Sequence, residues 1–442
     1  MAPMAQASDG TATAATTGRR YVTTREAAFI GVGSMVGAGI FSLLGSTGAV
    51  AGAAVWLSFA LAGVIAALQG YSFARLGARY PSAGGLLEYI NKGFGEGHSA
   101  TVIAWLLFWT NAIVTAMVAV SFGSYAASAL GTTDPFATKA FSVAIVLVMT
   151  GLNVAGSTFV ARVQSLIVFI VVGILALFSV VTLLNINPAL LAPSTYPPPR
   201  DILSSVALTF FAFLGFGIVT FTARDLREPS RQLPIAMTLA IGIAAAVYIA
   251  VSLGVFGTLT VDQVIAAGPT AIAEAAKPTL GNLGYWLMTV TALFATSGAT
   301  NAGLYPAIGV ADHLVSTGQF PPVMAHRIGR VQVGLLVAAI AVIVLVVGKD
   351  LSAIASIGSA VALLIFCLVT IGHLRIRSTT GANLPILVLA LATAGVTLLT
   401  FTFTTLINEP ASLVTLAAII VLSLGLDLVW SLRRPAAAPT AA

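Results

Sequence analysis

The chain has 442 residues, of which 58% are apolar and only 8% are charged; its net charge is +6 and its mean hydropathy is +1.02. Soluble globular proteins carry roughly 25% charged residues, so this composition excludes a soluble fold and indicates a membrane protein surrounded by lipid. The basic residues lie in short loops between apolar runs. That placement is typical of membrane topology signals and argues against a nucleic-acid-binding patch.

Both ends of the chain are predicted to be disordered cytoplasmic tails, at residues 1–24 and 433–442. The first is rich in Ala and Thr and lacks the apolar core of a signal peptide. Cys367 is the single cysteine. No intramolecular disulfide can therefore form, and no disulfide-linked partner subunit is expected.

The apolar runs predict an all-α membrane protein with 12 transmembrane helices, because a bilayer core about 30 Å thick requires about 20 apolar residues per helix. We number them helices 1 to 12 and predict them at 27–50, 54–77, 99–129, 136–154, 160–185, 202–224, 235–259, 282–312, 331–348, 351–374, 384–406 and 411–432. The longest connections on the outer side, 186–201 and 260–281, have loop-like compositions.

Loop charge predicts the orientation in the membrane. With a cytoplasmic N-terminus, all Lys and Arg residues fall on the cytoplasmic side except Lys139, Arg200, Lys277 and Lys349. Positive residues accumulate in cytoplasmic loops. We therefore expect a multi-pass protein of the plasma membrane (the bacterial inner membrane) with both termini in the cytoplasm.

Helix 1 contains an unusual glycine-rich run, GVGSMVGAGIF at 31–41. Each glycine weakens a helix interior by about 1 kcal/mol relative to alanine. A nucleotide-binding glycine loop would need a preceding strand in a soluble unit, and the run lies inside an apolar helix instead. Two interpretations remain. The glycines allow close helix packing, or they mark an unwound break at the membrane midplane whose freed N–H groups bind a carboxylate and whose carbonyls bind a cation.

Helix 6 carries a similar interruption in the run FFAFLGFGI at 210–218. Glycine-interrupted helices in corresponding positions of two halves are the best sequence indication of the binding site of an inverted-repeat transporter. Packing or lipid contact accounts for most of the phenylalanines, and Phe211 is the candidate gate over a substrate. The paired interruptions predict a secondary transporter.

Several short motifs then occur in register across helices 1 to 8. They are GAGIF at 37–41, YPSAGG at 80–85, FAFLGF at 211–216, EP at 228–229 and GQFP at 318–321. Together they resemble the motifs of the amino acid–polyamine–organocation superfamily of permeases. The resemblance implies a ten-helix core at 25–378, built from inverted repeats at 25–186 and 200–378, with two peripheral helices at 383–432.

The resemblance also implies that an amino acid is held between broken helices 1 and 6. The N–H groups of Gly37, Ala38 and Gly39 would receive its carboxylate, and the carbonyls of Met35 and of residues near Phe211 and Leu214 would receive its ammonium group. The other candidate pocket residues are Ser34, Thr110, Asn111, Phe213, Gly215 and Asn301. All are neutral, which favours a neutral amino acid, because a charged substrate normally needs a side chain of opposite charge.

Two positions depart from the pattern of this superfamily, which leaves the coupling ion open. Gly217 stands where antiporters carry a Glu, and Val171 stands where many proton-coupled relatives carry a Lys. A proton or sodium symporter is the first expectation. An uncoupled exchanger or facilitator, or a permease for another small amine or carboxylate, is the alternative.

The candidate sodium ligands are the carbonyls of Gly33 and Val36 and hydroxyls of helix 8. The helix 8 candidates are Thr296, Ser297 and Thr300. In the competing interpretation these hydroxyls bond to the carbonyls four residues earlier. Asp225 and Glu88 are possible proton sites, or they pair with neighbouring arginines.

Other functions lack their expected residues. A channel would carry charged rings or a filter loop, and a membrane enzyme would carry clustered acidic residues or histidines. His98, His313, His326 and His373 are scattered in the sequence. We therefore expect no metal site, no cofactor and no enzymatic activity.

Overall fold

The computed structural model describes residues 21–82, 85–95, 97–155 and 158–433. Residues 1–20 and 434–442 of the predicted tails lie outside the described part of the chain. The first half of the helical core begins with helix 1, which has two parts, Thr24–Ala38 and Ile40–Ala51. Helices 2 to 5 follow at Val55–Arg79, His98–Ala129, Pro135–Ala155 and Thr158–Leu184.

The second half begins with helix 6, which is α-helical at Pro199–Phe211 and a 3₁₀ helix at Leu214–Asp225. Helices 7 to 12 are Pro229–Phe256, Ala271–Ser316, Val333–Gly348, Leu351–Arg375, Leu384–Thr404 and Pro410–Arg433.

Short elements connect the long helices. An amphipathic helix at Leu86–Phe94, which we call the inner helix, lies between helices 2 and 3. A two-stranded antiparallel hairpin, Arg327–Ile328 with Val331–Gln332, precedes helix 9. The remaining helical turns are Gly52–Ala54, Pro188–Leu191, Pro193–Thr195, Val261–Ala267, Gly268–Thr270, Pro322–Ala325, Arg377–Thr380 and Leu406–Asn408.

Within the described residues, 9 helical stretches are long and apolar enough to cross a membrane. Three differences separate this number from the twelve predicted crossings, and the first is that helix 8 is not among these stretches. Helices 1 and 2 run into each other, so that Ile40–Arg79 forms one stretch of 40 residues. Helix 9 has only 16 residues and is apolar but short. The chain is thus an all-α membrane protein.

Side chains and glycines set the ends of several helices. Thr23 and Glu26 form a reciprocal cap at the start of helix 1, with the Glu26 N–H donating to Thr23 Oγ1 at 3.2 Å. Asp350 caps helix 10 by accepting the Ala353 N–H at 2.8 Å. Such caps satisfy N–H groups that lack a partner inside the helix. Gly281, with a φ of 63°, kinks helix 8, so the ten residues before it form part of the connection between helices 7 and 8.

Helices of the two halves contact each other in matching pairs. Helix 1 packs against the 3₁₀ half of helix 6, helix 2 against helix 7, helix 3 against helix 8, and helix 4 against helix 9. Two intertwined halves related by a pseudo-two-fold axis would produce this pairing. It brings the interruptions of helices 1 and 6 to the centre of the protein.

Helices 11 and 12 pack against helices 2, 3, 6 and 10 and form several polar contacts with the rest of the chain. Gln69 of helix 2 donates to the Ala390 carbonyl at 3.1 Å. Asp427 lies 2.7 Å from His98 Nδ1, and the indole N–H of Trp430 donates to the Gly318 carbonyl at 2.9 Å. Both helices expose many large apolar side chains, as lipid-facing helices do.

Candidate functional site

The interruption of helix 1 is confined to Gly39. This residue has a φ of −87° and a ψ of −63°, and its N–H still donates to the Met35 carbonyl at 3.0 Å. Helix 1 is therefore interrupted over one residue rather than unwound over a full turn. That hydrogen bond occupies the Met35 carbonyl, which the resemblance to the permease superfamily implied as a partner of the substrate ammonium group.

The interruption of helix 6 is longer and changes the helix type. After Phe211 the chain turns through Ala212 and Phe213, and the helix continues with 3₁₀ geometry over 12 residues. Runs of 3₁₀ helix longer than three or four residues are uncommon, and inside a helix they often mark a hinge or a strained segment. Helix 6 therefore has two halves of different geometry that meet beside the cavity.

The two interruptions touch each other through glycines. A Cβ atom on Gly39 would overlap Ala212 of helix 6. A Cβ atom on Gly215 would lie 2.5 Å from the Ser34 carbonyl carbon and 2.6 Å from the Met35 nitrogen. Only glycine permits such close approach of backbones. Gly39 and Gly215 therefore permit close packing of helices 1 and 6. Both helices are also interrupted at this contact.

A cavity of about 170 Å³ lies next to this contact. Helices 1, 3, 6, 8 and 10 and the inner helix all contribute to its wall. Its lining residues are Ser34, Leu86, Leu87, Leu107, Phe108, Thr110, Asn111, Val114, Phe211, Ala212, Leu214, Gly215, Gly217, Ile218, Phe221, Ala299, Ala302, Gly303, Ala362, Ile365 and Phe366. None of these residues carries a charged side chain.

Three side chains of the wall are polar. The Thr110 hydroxyl donates to the Leu106 carbonyl at 2.8 Å, and the Asn111 amide donates to the Gly303 carbonyl at 2.6 Å. The Ser34 hydroxyl has no hydrogen-bond partner among the described residues. Ser34 and the Asn111 side-chain oxygen therefore remain available to a small ligand with polar groups.

Six of the candidate pocket residues line this cavity. They are Ser34, Thr110, Asn111, Phe211, Leu214 and Gly215. Phe211 lies against Gly358 of helix 10, where an added Cβ atom would overlap its ring. The structure thus gathers candidates from helices 1, 3 and 6 at one place.

The other candidates lie elsewhere. Gly37 faces Ala295 of helix 8, with only 2.9 Å between its ideal Cβ position and the Ala295 oxygen. Phe213 is fully buried and packs on the ring of Tyr248, with 5.0 Å between ring centroids. Asn301 accepts a hydrogen bond from Asn153 of helix 4 at 2.9 Å.

The two remaining candidates on helix 1 are Gly39, which packs on helix 6, and Ala38, whose side chain lies outside the described residues. Gly39 does not line the cavity. Of the described residues of helix 1, Ser34 alone contributes to the wall.

Sequence reasoning missed much of the apolar wall. Leu86 and Leu87 come from the inner helix, and Ile365 and Phe366 come from helix 10. The YPSAGG motif at 80–85 directly precedes the inner helix, but it did not identify these two leucines as cavity residues. Helix 10 carries no motif, and nothing in its sequence marks the face that meets the cavity.

A second, much smaller cavity of about 10 Å³ lies between helices 1, 5 and 8. Gly33 and Val36, the predicted sodium ligands of helix 1, line it together with Gly37. The rest of its wall consists of Ile167, Val168, Val171, Ala295 and Gly298. Val171 thus lies beside the first interruption, and no side-chain oxygen lines this small cavity in the described part of the chain.

The helix 8 hydroxyls do not line that cavity. Thr296 donates to the Ala292 carbonyl at 2.6 Å, Ser297 to the Leu293 carbonyl at 2.6 Å, and Thr300 to the Thr296 carbonyl at 2.8 Å. These are the bonds to the carbonyls four residues earlier that the competing interpretation expects.

The acidic candidates near the predicted cytoplasmic ends have basic neighbours. Glu88 lies 3.3 Å from Lys92, and Asp225 lies 3.8 Å from Arg224. Burial raises the pKa of Tyr89 on the inner helix above its usual range, so its phenol stays protonated. The described residues contain no group of three or more potential metal-binding side chains.

Comparison with known proteins gives a consistent result. Residues 22–427 match the amino acid permease family model. The chain is 33% identical to the inner membrane transport protein YbaT of Escherichia coli, over 81% of this chain and 84% of that protein.

More distant relatives have named substrates. The chain is 28% identical to a methylthioribose transporter of Bacillus subtilis, over 55% of this chain and 56% of that protein. It is 27% identical to the vacuolar cationic amino acid transporter 2 of Arabidopsis thaliana, over 81% of this chain and 60% of that protein. With helices 1 and 6 interrupted beside a central cavity, and with a family match over most of its length, the chain belongs to the amino acid permease family of membrane transporters.

Proposed function

We propose that this protein is a secondary transporter that carries a neutral amino acid across the plasma membrane by alternating access. The observation that carries the proposal is the uncharged cavity beside the interruptions of helices 1 and 6. The backbone at the interruption of helix 6, where Ala212, Leu214 and Gly215 line the cavity, suits the carboxylate and ammonium groups common to all amino acids. A cationic or anionic side chain would be buried there without an opposite charge, which is strongly unfavourable.

The proposed topology has twelve membrane crossings in two inverted repeats of five helices, with two peripheral helices and both termini in the cytoplasm. The matching contacts between the two halves and the distribution of Lys and Arg among the loops support it. The name of the bacterial relative supports an inner-membrane location. Cysteine accessibility at engineered positions in the loops would test this arrangement.

We propose transport that does not depend on sodium. No side-chain oxygen of the described residues lines the small cavity beside Gly33 and Val36, whereas a hard cation such as sodium prefers several oxygen ligands. Proton symport then remains the first candidate mechanism. Uncoupled exchange is the second, favoured by the fact that no titratable side chain lines either of these two cavities among the described residues.

Uptake into liposomes tests these proposals. Purified protein should accumulate labelled neutral amino acids in a saturable manner, at equal rates with sodium and with choline outside. A pH gradient separates the two mechanisms, since acceleration by external protons indicates symport. Acceleration only by amino acid inside the liposomes indicates exchange. Absence of saturable uptake of any amino acid would refute the transport proposal.

A further inference from the structure

The cavity wall is divided into a polar part and an extended apolar part. Resting on the proposed amino acid transport, we infer that the transported molecule is an amino acid with a bulky apolar side chain, aliphatic or aromatic. Apolar residues make up most of the cavity wall, and they carry this inference.

The polar part of the wall can serve only the groups common to all amino acids. It comprises the Ser34 hydroxyl, the Asn111 side chain and the backbone around Gly215. The Thr110 hydroxyl is already bonded to the Leu106 carbonyl, and the Asn111 amide to Gly303. Little hydrogen-bonding capacity therefore remains for a polar substrate side chain.

The rest of the wall is apolar. Helix 3 contributes Phe108 and Val114, and helix 10 contributes Ile365 and Phe366. Phe366 is held in place by other rings, with its centroid 5.5 Å from that of Phe210 and 5.1 Å from that of Phe73. An aromatic cluster of this kind presents a preformed apolar surface to the cavity.

Small residues leave room in front of this surface. Ala299, Ala302 and Gly303 of helix 8 and Ala362 of helix 10 all face the cavity. Its volume of about 170 Å³ is several times the roughly 30 Å³ that one water molecule occupies. If glycine were the substrate, its lack of a side chain would leave empty space against the apolar wall, and the dispersion contacts between substrate and wall would be lost.

Elementary energetics sets the expected selectivity. Burial of each additional methylene tightens binding about fourfold, so leucine, with three more carbons than alanine, should bind roughly 60-fold more tightly. A polar group left unpaired against the apolar wall should weaken binding roughly 5- to 150-fold. Glutamine and lysine should therefore be poor substrates.

The experiment measures uptake of labelled leucine, phenylalanine, alanine, glutamine and lysine into liposomes that contain the full-length protein. We expect apparent affinities in the order leucine and phenylalanine, then alanine, with glutamine and lysine weakest. Ala302→Leu fills the room in front of the wall and should weaken leucine and phenylalanine at least about tenfold, while alanine keeps its affinity. Ala392→Leu, on the lipid-exposed face of helix 11, is the matched control and should change nothing.

A second variant covers the case in which Ala302→Leu does not fold. Ile365→Ala removes three carbons from the apolar wall and should weaken leucine several-fold while sparing alanine. If alanine or glutamine is taken up with an affinity equal to that of leucine, the side-chain inference is wrong although the protein is an amino acid transporter. If no amino acid is taken up, the transport proposal itself fails.

Discussion

Replacement of Gly215 by alanine tests whether the two interrupted helices must touch. The new Cβ atom would lie 2.5 Å from the carbonyl carbon of Ser34 and 2.6 Å from the nitrogen of Met35. Both are backbone atoms of helix 1, so relief requires one helix to move. Overpacking of this kind destabilises a protein by about 1–3 kcal/mol. For a chain of this length, the melting temperature should fall by a few degrees, about 2–4 °C per kcal/mol or less.

The assay combines thermal unfolding in detergent with uptake of the best labelled amino acid into liposomes. Gly215→Ala should lower both the melting temperature and the uptake rate. Gly242→Ala on helix 7 is the matched control, because a Cβ atom there meets nothing within 4 Å. Alanine is favoured over glycine in a helix by about 1 kcal/mol, so this control should melt at the same or a higher temperature.

A double variant, Ser34→Ala with Gly215→Ala, tests whether the added Cβ atom overlaps the backbone of helix 1 or only the Ser34 side chain. The Ser34 hydroxyl also lies 2.6 Å from the position of the added Cβ atom, but the closest atoms belong to the backbone. Ser34→Ala should therefore fail to restore the stability of Gly215→Ala. If Gly215→Ala behaves like Gly242→Ala in both assays, the two interruptions do not depend on close backbone contact and the reasoning is refuted.

Three further predictions concern other polar groups. Thr296→Val should leave uptake unchanged within about twofold, in sodium or in choline, because its hydroxyl bonds to its own helix at the Ala292 carbonyl; a loss of sodium-dependent uptake would contradict this. Asn111→Leu removes the side-chain oxygen that the cavity wall offers to a ligand and should raise the KM roughly 5- to 150-fold, as measured by initial uptake rates, whereas an unchanged KM would exclude Asn111 from the site. His373→Leu leaves the buried Ser72 hydroxyl, at 2.7 Å from the ring Nδ1, without its partner, and should destabilise the protein by about 1–3 kcal/mol, which thermal unfolding would detect; the Thr380 hydroxyl keeps its bond to the Arg377 carbonyl.

The sequence is sufficient to predict that this is a helical membrane protein and where helices 1 and 6 are interrupted. The apolar runs follow from the requirement that every backbone polar group in lipid be paired within a helix, so the helices are visible as long stretches without charge. The interruption after Phe211 coincides with the glycine-containing run of helix 6, and the one at Gly39 lies inside the glycine-rich run of helix 1. Local composition determines these features, and no tertiary contact is needed to recognise them.

Which face of each helix meets the cavity could not be predicted. In soluble proteins a polar face marks the side exposed to water, but lipid is as apolar as the core. A membrane helix such as helix 8 therefore has no clear polar stripe. For this reason the sequence did not reveal that Asn301, a substrate candidate, lies against helix 4. Nor did it reveal that Ala295 and Gly298 occupy the positions beside Val36 where hydroxyls were expected.

The sequence by itself determined that the protein spans a membrane, where helices 1 and 6 are interrupted, and which family motifs surround the interruptions. Tertiary structure alone decided which side chains share the central cavity. Leu86 of the inner helix and Phe366 of helix 10 lie far from Ser34 along the chain, yet all three line the same wall. Their meeting depends on the rotation and crossing of packed helices, which depends in turn on side-chain interlocking between distant segments.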